Sequence, residues 1–253
     1  MIKRLFYWMI EYGIVIKDMK SLVLIGDVGG LLLSRVNRVG IISLFFCFLI
    51  LVGCQFGEST EEKMYNHLEE AVALEDQFRE QQAPLAKAEK KEQELYDEIV
   101  ALSMDEFDKI KSLSTEAEAL TKKRLEYLNN EKESIDKAYE EFENTKDLRG
   151  DLEDENVQES AEALIDKMDK RYDAYQSLYK EYKAAIELDK KLYTMLQDKE
   201  LTLEQLQEQI KKVNEQYTKV SKQKEEFNKY TTEFNEAKKA FYKAADLNVN
   251  YGE

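Results

Sequence analysis

The chain has 253 residues, with 37 Lys/Arg against 52 Asp/Glu and a formal net charge of −15. That balance speaks against binding nucleic acid or a generic anionic membrane through the protein body, since both need excess positive charge. One histidine is too few for a multi-histidine metal centre, and with two cysteines it leaves little material for a disulfide framework or for Ser–His or Cys–His nucleophilic chemistry.

Residues 1–34 are mixed, their apolar patches broken by Glu11, Lys17, Asp18, Lys20 and Asp27. None of these patches is long or clean enough to span a bilayer. We read them as an N-terminal extension, expected to be upstream sequence read from an early start codon. Residues 35–53 read as a lipoprotein signal peptide. Arg35 and Arg38 precede an apolar run from Ile41 to Gly53, 13 residues long. As a helix it covers about 20 Å, short of the roughly 30 Å hydrocarbon core. A basic region, a short apolar region and a small residue at the cut site describe an exported precursor.

Leu51-Val52-Gly53-Cys54 fits the lipobox that directs lipidation and cleavage before the cysteine. Cys54 supplies the thiolate nucleophile for diacylglyceryl transfer, and Gly53 leaves the backbone open to the peptidase. Two acyl chains anchor firmly where one is marginal, at about 0.8 kcal/mol per buried methylene. Cleavage removes six of the basic and three of the acidic residues, leaving a net charge of −18 from Cys54 onward. Over the whole body this also argues against charge-driven binding to phosphate-rich wall polymers. Cys47 leaves with the signal and Cys54 is lipidated, so no thiol remains for a bridge.

Residues 54–59 form a short linker, and 60–248 a helical domain. The mature chain has one proline, Pro84, and three glycines, Gly57, Gly150 and Gly252. Its interior is rich in Glu, Lys, Ala, Leu and Gln, the composition of long helices. Apolar residues recur on three- and four-residue steps over four stretches, about 60–102, 104–147, 155–198 and 202–246. No stretch alternates at period two. Ser59–Glu62, Ser103–Glu106 and Thr202–Gln205 each fit a capping box. Before the third helix Gly150 is expected in a left-handed C′ position. Thr115–Glu118 suggests a kink or break near Ser112–Ser114. Pro84 is expected to kink the first helix, and a three-three step places local overwinding near Lys224.

Four helices of about 43 residues with short connections demand antiparallel neighbours. The fold class is therefore all-α, a long up-down four-helix bundle; a three-helix, spectrin-like packing with one split helix is the alternative.

Tyr172, Tyr175, Tyr179 and Tyr182 form a stripe on the third helix, with Tyr193 beyond. Tyrosine couples an apolar ring to a polar tip, so the stripe is the candidate ligand-binding surface, for sugar stacking; its spacing equally fits a wide core. His67 is read as a core-edge or surface residue. Asp151–Glu155 lacks EF-hand spacing and reads as a solvated acidic turn favouring the next helix N-terminus. Arg149-Gly150-Asp151 is read as chance. Lys224, Thr231 and Lys238 recur every seven residues, as the flank of the seam or a polar groove. No metal, cofactor or catalytic set is expected.

A lipobox cysteine, a very short linker and a Lys/Glu-rich, Tyr-rich helical body resemble the YkyA-type cell-wall binding lipoprotein family of Bacillus and related Gram-positive bacteria. The resemblance covers residues 41 to about 248. It implies a non-enzymatic bundle on the outer face of the membrane, anchored by diacylglyceryl-Cys54, that binds peptidoglycan or scaffolds the envelope. The alternative is a regulator docking on a wall hydrolase or membrane transporter through a helix face. The resemblance carries over no catalytic residue, and the long N-terminal extension departs from its usual pattern.

Overall fold

The computed structural model describes residues 58–247 and 249. The N-terminal extension, the signal peptide, the lipobox and Cys54 lie outside the described residues. Among those described, the chain forms helices α1 (Thr60–Leu74), α2 (Asp76–Ala101), α3 (Phe107–Leu148), α4 (Glu155–Met195) and α5 (Leu203–Ala244). Short 3-10 turns flank α3, Met104–Glu106 before it and Arg149–Asp151 after it. No strand is present among the described residues. α1 and α2 together make the first of four antiparallel rods, each about 63 Å long. The three-helix alternative is not adopted.

Local chemistry sets most of the helix starts. The Ser59 hydroxyl accepts from Glu62 N–H at 3.1 Å, and the Glu62 carboxylate accepts from Ser59 N–H at 3.0 Å. Thr202 and Gln205 repeat this exchange at 3.3 and 3.1 Å. Ser103 N–H donates to Glu106 Oε2 at 3.3 Å. Each box satisfies amide donors that have no partner inside the helix. α4 starts differently: Asp154 Oδ1 accepts from the amides of Asn156 and Val157. The acidic turn thus supplies the cap, with a charge that suits the helix N-terminus.

Two local expectations are corrected. Gly150 lies in the 3-10 turn Arg149–Asp151 and not in a left-handed C′ position. The left-handed residue is Asp246, at φ 52°, after α5. There Leu247 N–H reaches Tyr242 O at 3.0 Å and Asp246 N–H reaches Lys243 O at 3.3 Å, a Schellman closure with aspartate where glycine is usual. α3 runs unbroken past Thr115, whose hydroxyl donates back to Lys111 O at 2.8 Å within the helix.

The first rod is interrupted at Glu75, while α2 carries on through Pro84. The cause is tertiary. The Ser134 hydroxyl of α3 donates to Leu74 O at 2.6 Å and accepts from Phe78 N–H at 3.0 Å. Those two backbone groups would bond each other in a continuous helix, and a side chain inserted in the ladder breaks it.

α1 and α2 pack on α3, α3 on α4, and α4 on α5. Side chains close the ring between first and last rods. Tyr242 OH donates to Glu69 at 2.7 Å, and the Tyr65 and Tyr242 rings lie 5.2 Å apart. The apolar interior has two parts. A base cluster joins Met64, Leu68, Phe142, Leu164, Phe234 and Phe241. A tip cluster joins Leu95, Ile99, Leu128, Ile186, Ile210 and Val213. Base here means the end where α1 begins and α5 ends; the tip carries the Ser103 and Thr202 turns. The described residues close this core on themselves.

Candidate binding edge and buried charge layers

The tyrosine stripe divides between core and edge. Tyr175, Tyr182 and Tyr193 are buried. Tyr172 and Tyr179, one turn apart from these, are half-buried where α4 meets α3. Tyr172 OH donates to Asp136 Oδ1 at 3.1 Å, which also accepts from Gln176 at 3.0 Å. Its ring stacks on Tyr139 at 3.8 Å between centroids. Tyr179 OH donates to Asn129 at 2.9 Å, and the Lys132 and Lys183 ammonium groups sit 5.4 and 5.8 Å from its ring. These neighbours make a mixed aromatic and polar edge along α3–α4. Burial and hydrogen bonding to Asp136 push the Tyr172 hydroxyl up to about 12, so it stays a neutral donor.

Inside the tip cluster lies a charge layer that joins all four rods. Arg124 of α3 is fully buried. Its Nη1 donates to Glu92 of α2 at 2.9 Å and to Asp189 of α4 at 2.8 Å, and its Nη2 to Tyr217 OH of α5 at 2.7 Å. Tyr217 OH in turn donates to Asp189 at 2.5 Å. Glu89 bonds Tyr182 and lies 4.0 Å from the guanidinium. The Arg124 guanidinium therefore faces three buried carboxylates, with Lys224 near Glu89 as a second cation. Burial pushes Glu92 up to about 8 and Glu89 up to about 7, against the pull of Arg124. Burial raises Asp189 as well, Arg124 opposing. Glu92 Oε1 and Arg124 Nε have no partner among the described residues.

A second layer separates the two clusters. Arg171 of α4 forks the Glu75 carboxylate at 2.6 and 2.8 Å, donates from Nε to Thr231 at 3.1 Å, and lies over the rings of Phe227 and Phe234. Thr231 thus faces the interior, as does Lys238, which reaches Glu69 at 3.4 Å. Lys224 is buried beside Glu89, and burial lowers its pKa while Glu89 opposes. The seven-residue repeat is a polar seam within the packed face.

His67 sits half-buried at the core edge, its Nδ1 2.6 Å from Glu141. Arg149 pairs with Glu162 at 3.0 Å. Among the described residues no group of three or more His, Cys, Asp and Glu is placed to hold a metal ion, and no helix is long and apolar enough to cross a membrane. Reasoning from sequence missed Glu75, Glu89, Glu92, Ser134, Arg171 and Asp189 as interior residues. The available signal was a charge falling in apolar register, as Glu92 does between Ala88 and Leu95, and Asp189 between Ile186 and Tyr193.

Raised carboxylates are the stuff of acid–base chemistry, but here they face one another inside packed helices. What the fold and its surfaces define is a long, acidic, antiparallel helical bundle with its interior closed, presenting side chains along helix edges. The match to known proteins is specific. Residues 59–244 fit the YkyA model, described as "Putative cell-wall binding lipoprotein", and the chain belongs to that family. It is 41% identical over 176 residues to an uncharacterized lipoprotein, YkyA, of Bacillus subtilis (strain 168), covering 69% of this chain and 78% of that protein. Its fold is similar to the 1.6 Å crystal structure of a conserved protein of unknown function from Staphylococcus aureus. The TM-score is 0.52 at 16% identity, over 75% of this chain and 98% of that one.

Proposed function

We propose that this chain is a lipoprotein tethered through diacylglyceryl-Cys54 to the outer face of the cell membrane, and that its bundle is a non-catalytic rod binding the cell wall. Family membership carries this reading. The lipobox at Leu51-Val52-Gly53-Cys54 supports the tether, and the Ser59 cap adds to it. Helix α1 starts six residues after Cys54, so little free chain separates the anchor from the base. The rod then reaches about 63 Å outward. The α3–α4 edge is the first candidate for wall contact, with Tyr172 and Tyr179 as its accessible tyrosines and Tyr175 and Tyr182 supporting it from the core.

Two measurements test this. Growth with radiolabelled fatty acid labels the protein, and Cys54→Ser abolishes the label. Purified wall sacculi retain a chain starting at Gln55, which carries the whole bundle, and Tyr172→Ala with Tyr179→Ala reduces that retention. An unlabelled protein removes the tether; a chain that washes off the sacculi removes wall binding.

A further inference from the structure

The order of the rods makes two hairpins. α1 and α2 join α3 through the Ser103 turn, and α4 joins α5 through the Thr202 turn; both turns lie at the tip. The chain passes from one hairpin to the other at the base, between Leu148 and Glu155. At the tip the hairpins are held by packing and side chains alone. Within a hairpin, side chains reach the neighbouring backbone: Ser134 bonds Leu74 O, while Gln209 and Gln216 bond Leu188 O at 2.8 Å and Glu181 O at 2.9 Å. Between hairpins the tip-side bonds run from side chain to side chain, as Arg124 to Asp189 and Tyr217, Tyr182 to Glu89, and Tyr179 to Asn129.

The two interior charge layers hold this joint differently. Arg171 meets Glu75 one to one, across the hairpins. On the tip side of that pair, Glu89 and Glu92 of α2, Glu131 of α3 and Asp189 of α4 are all buried. The buried cations facing them are Arg124 of α3 and Lys224 of α5, and Tyr96, Tyr182, Tyr193 and Tyr217 complete the surroundings. Glu131 receives the neutral amide of Gln82 at 2.5 Å, and burial, with Glu89 beside it, holds its carboxyl well above the usual range. Two cations do not balance four carboxylates, so the closed tip keeps protons on its carboxyl groups.

We propose that the tip is a pH-gated joint: as those protons are lost, the two hairpins part at the tip while the base stays closed. Parting lets water reach the carboxyl groups, which then ionise near their ordinary values. The open form sheds protons that the closed form keeps, so rising pH favours it. The base gains nothing comparable, because its layer has one carboxylate for one guanidinium and no excess carboxyl to shed a proton. Parted hairpins lose the burial that keeps them helical, and their amides exchange. The opened end is the one farthest from Ser59, and it uncovers Leu95, Ile99, Ile186 and Val213. The joint stands apart from the wall-binding reading, and no wall enters its test.

Hydrogen exchange of the chain starting at Gln55, read by mass spectrometry at pH 6 and pH 8.5 and corrected for the intrinsic rate at each pH, tests this. Protection around Leu95, Leu128, Ile186 and Val213 is expected to fall about tenfold or more between the two, while that around Leu68, Phe142, Leu164 and Phe234 changes less than about threefold. Glu89→Gln with Glu92→Gln keeps the uncharged shape at both pH values and is expected to hold tip protection at pH 8.5. Glu131→Gln alone, the milder change, recovers part of it. Equal losses at tip and base, unchanged protection at both, or a tip loss in the Gln variants as large as in the parent overturns the proposal.

Discussion

The guanidinium of Arg171 grips both carboxylate oxygens of Glu75 at the single residue where the first rod is interrupted. Both side chains are largely buried, 6% and 14% exposed. A buried pair of this kind is costly to break and far less costly to replace whole, because removing one partner strands the other's charge. Glu75→Ala is therefore expected to lower stability by about 3 kcal/mol, while Glu75→Leu with Arg171→Met recovers most of that. Urea denaturation of the two variants decides it; equal losses would show that the pair acts only through its packing.

Ser134 makes the interruption itself. Its hydroxyl stands between Leu74 O and Phe78 N–H, each of which would otherwise find the other. In Ser134→Ala the two backbone groups are free to bond directly. The expected cost is small, about 1 kcal/mol or less, since one arrangement of hydrogen bonds replaces another. Phe78 is the reporter: its amide stays protected from hydrogen exchange if the helix closes. Rapid exchange there, with a loss of 2 kcal/mol or more, would mean the break is built in by other contacts.

These two sites show where sequence stops being legible. The capping boxes could be read because each is a contact three residues long, complete within its own segment. The break at Glu75 could not, since the residue that causes it lies on another helix and looks like any solvent-facing serine. Pro84 was the local signal on the page, for a kink; α2 stays helical through it, and the interruption falls at Glu75 instead. Arg124 was visible as a charge in the apolar seam between Leu120 and Leu128; its partners on three other helices were not. Periodicity placed the tyrosines on one face, but only the neighbouring helix separates Tyr175, held in the core, from Tyr172, held at the edge with its hydroxyl on Asp136.

Asp246 holds the left-handed position after α5 without the freedom of glycine. An L-residue pays about 1–2 kcal/mol there, less for aspartate, whose short side chain bonds locally. Asp246→Gly keeps the Leu247–Tyr242 closure and is expected to raise stability by about 0.5 kcal/mol. Asp246→Val, branched at Cβ, lowers it. Thermal melts of the two variants test the pair of signs, and a drop in both would place the role of Asp246 in its side chain instead.

The Arg124 layer makes the bundle sensitive to base. Glu89 and Glu92 hold their protons in the fold up to about 7 and about 8, while in the unfolded chain both ionise near the ordinary value of 4.5. Between those limits the unfolded state sheds protons that the folded state keeps. Unfolding is therefore favoured as pH rises from about 5 to about 8, and the effect levels off above that. Asp136 works the other way. Its hydrogen bonds from Lys132, Gln176 and Tyr172 outweigh burial and lower its pKa, so its stabilisation is lost only as pH falls below the ordinary carboxylate range. Stability should accordingly peak near pH 5 and fall by one to a few kcal/mol by pH 8.5, on the order expected for buried carboxylates. Glu92→Gln keeps the shape and removes the ionisation. It is expected to flatten the alkaline slope and to leave the variant more stable than the parent at pH 8.5. Urea midpoints at the two pH values test this, and a parent protein equally stable at both would show that Glu92 and Glu89 are already ionised at pH 5, balanced by Arg124 and Lys224.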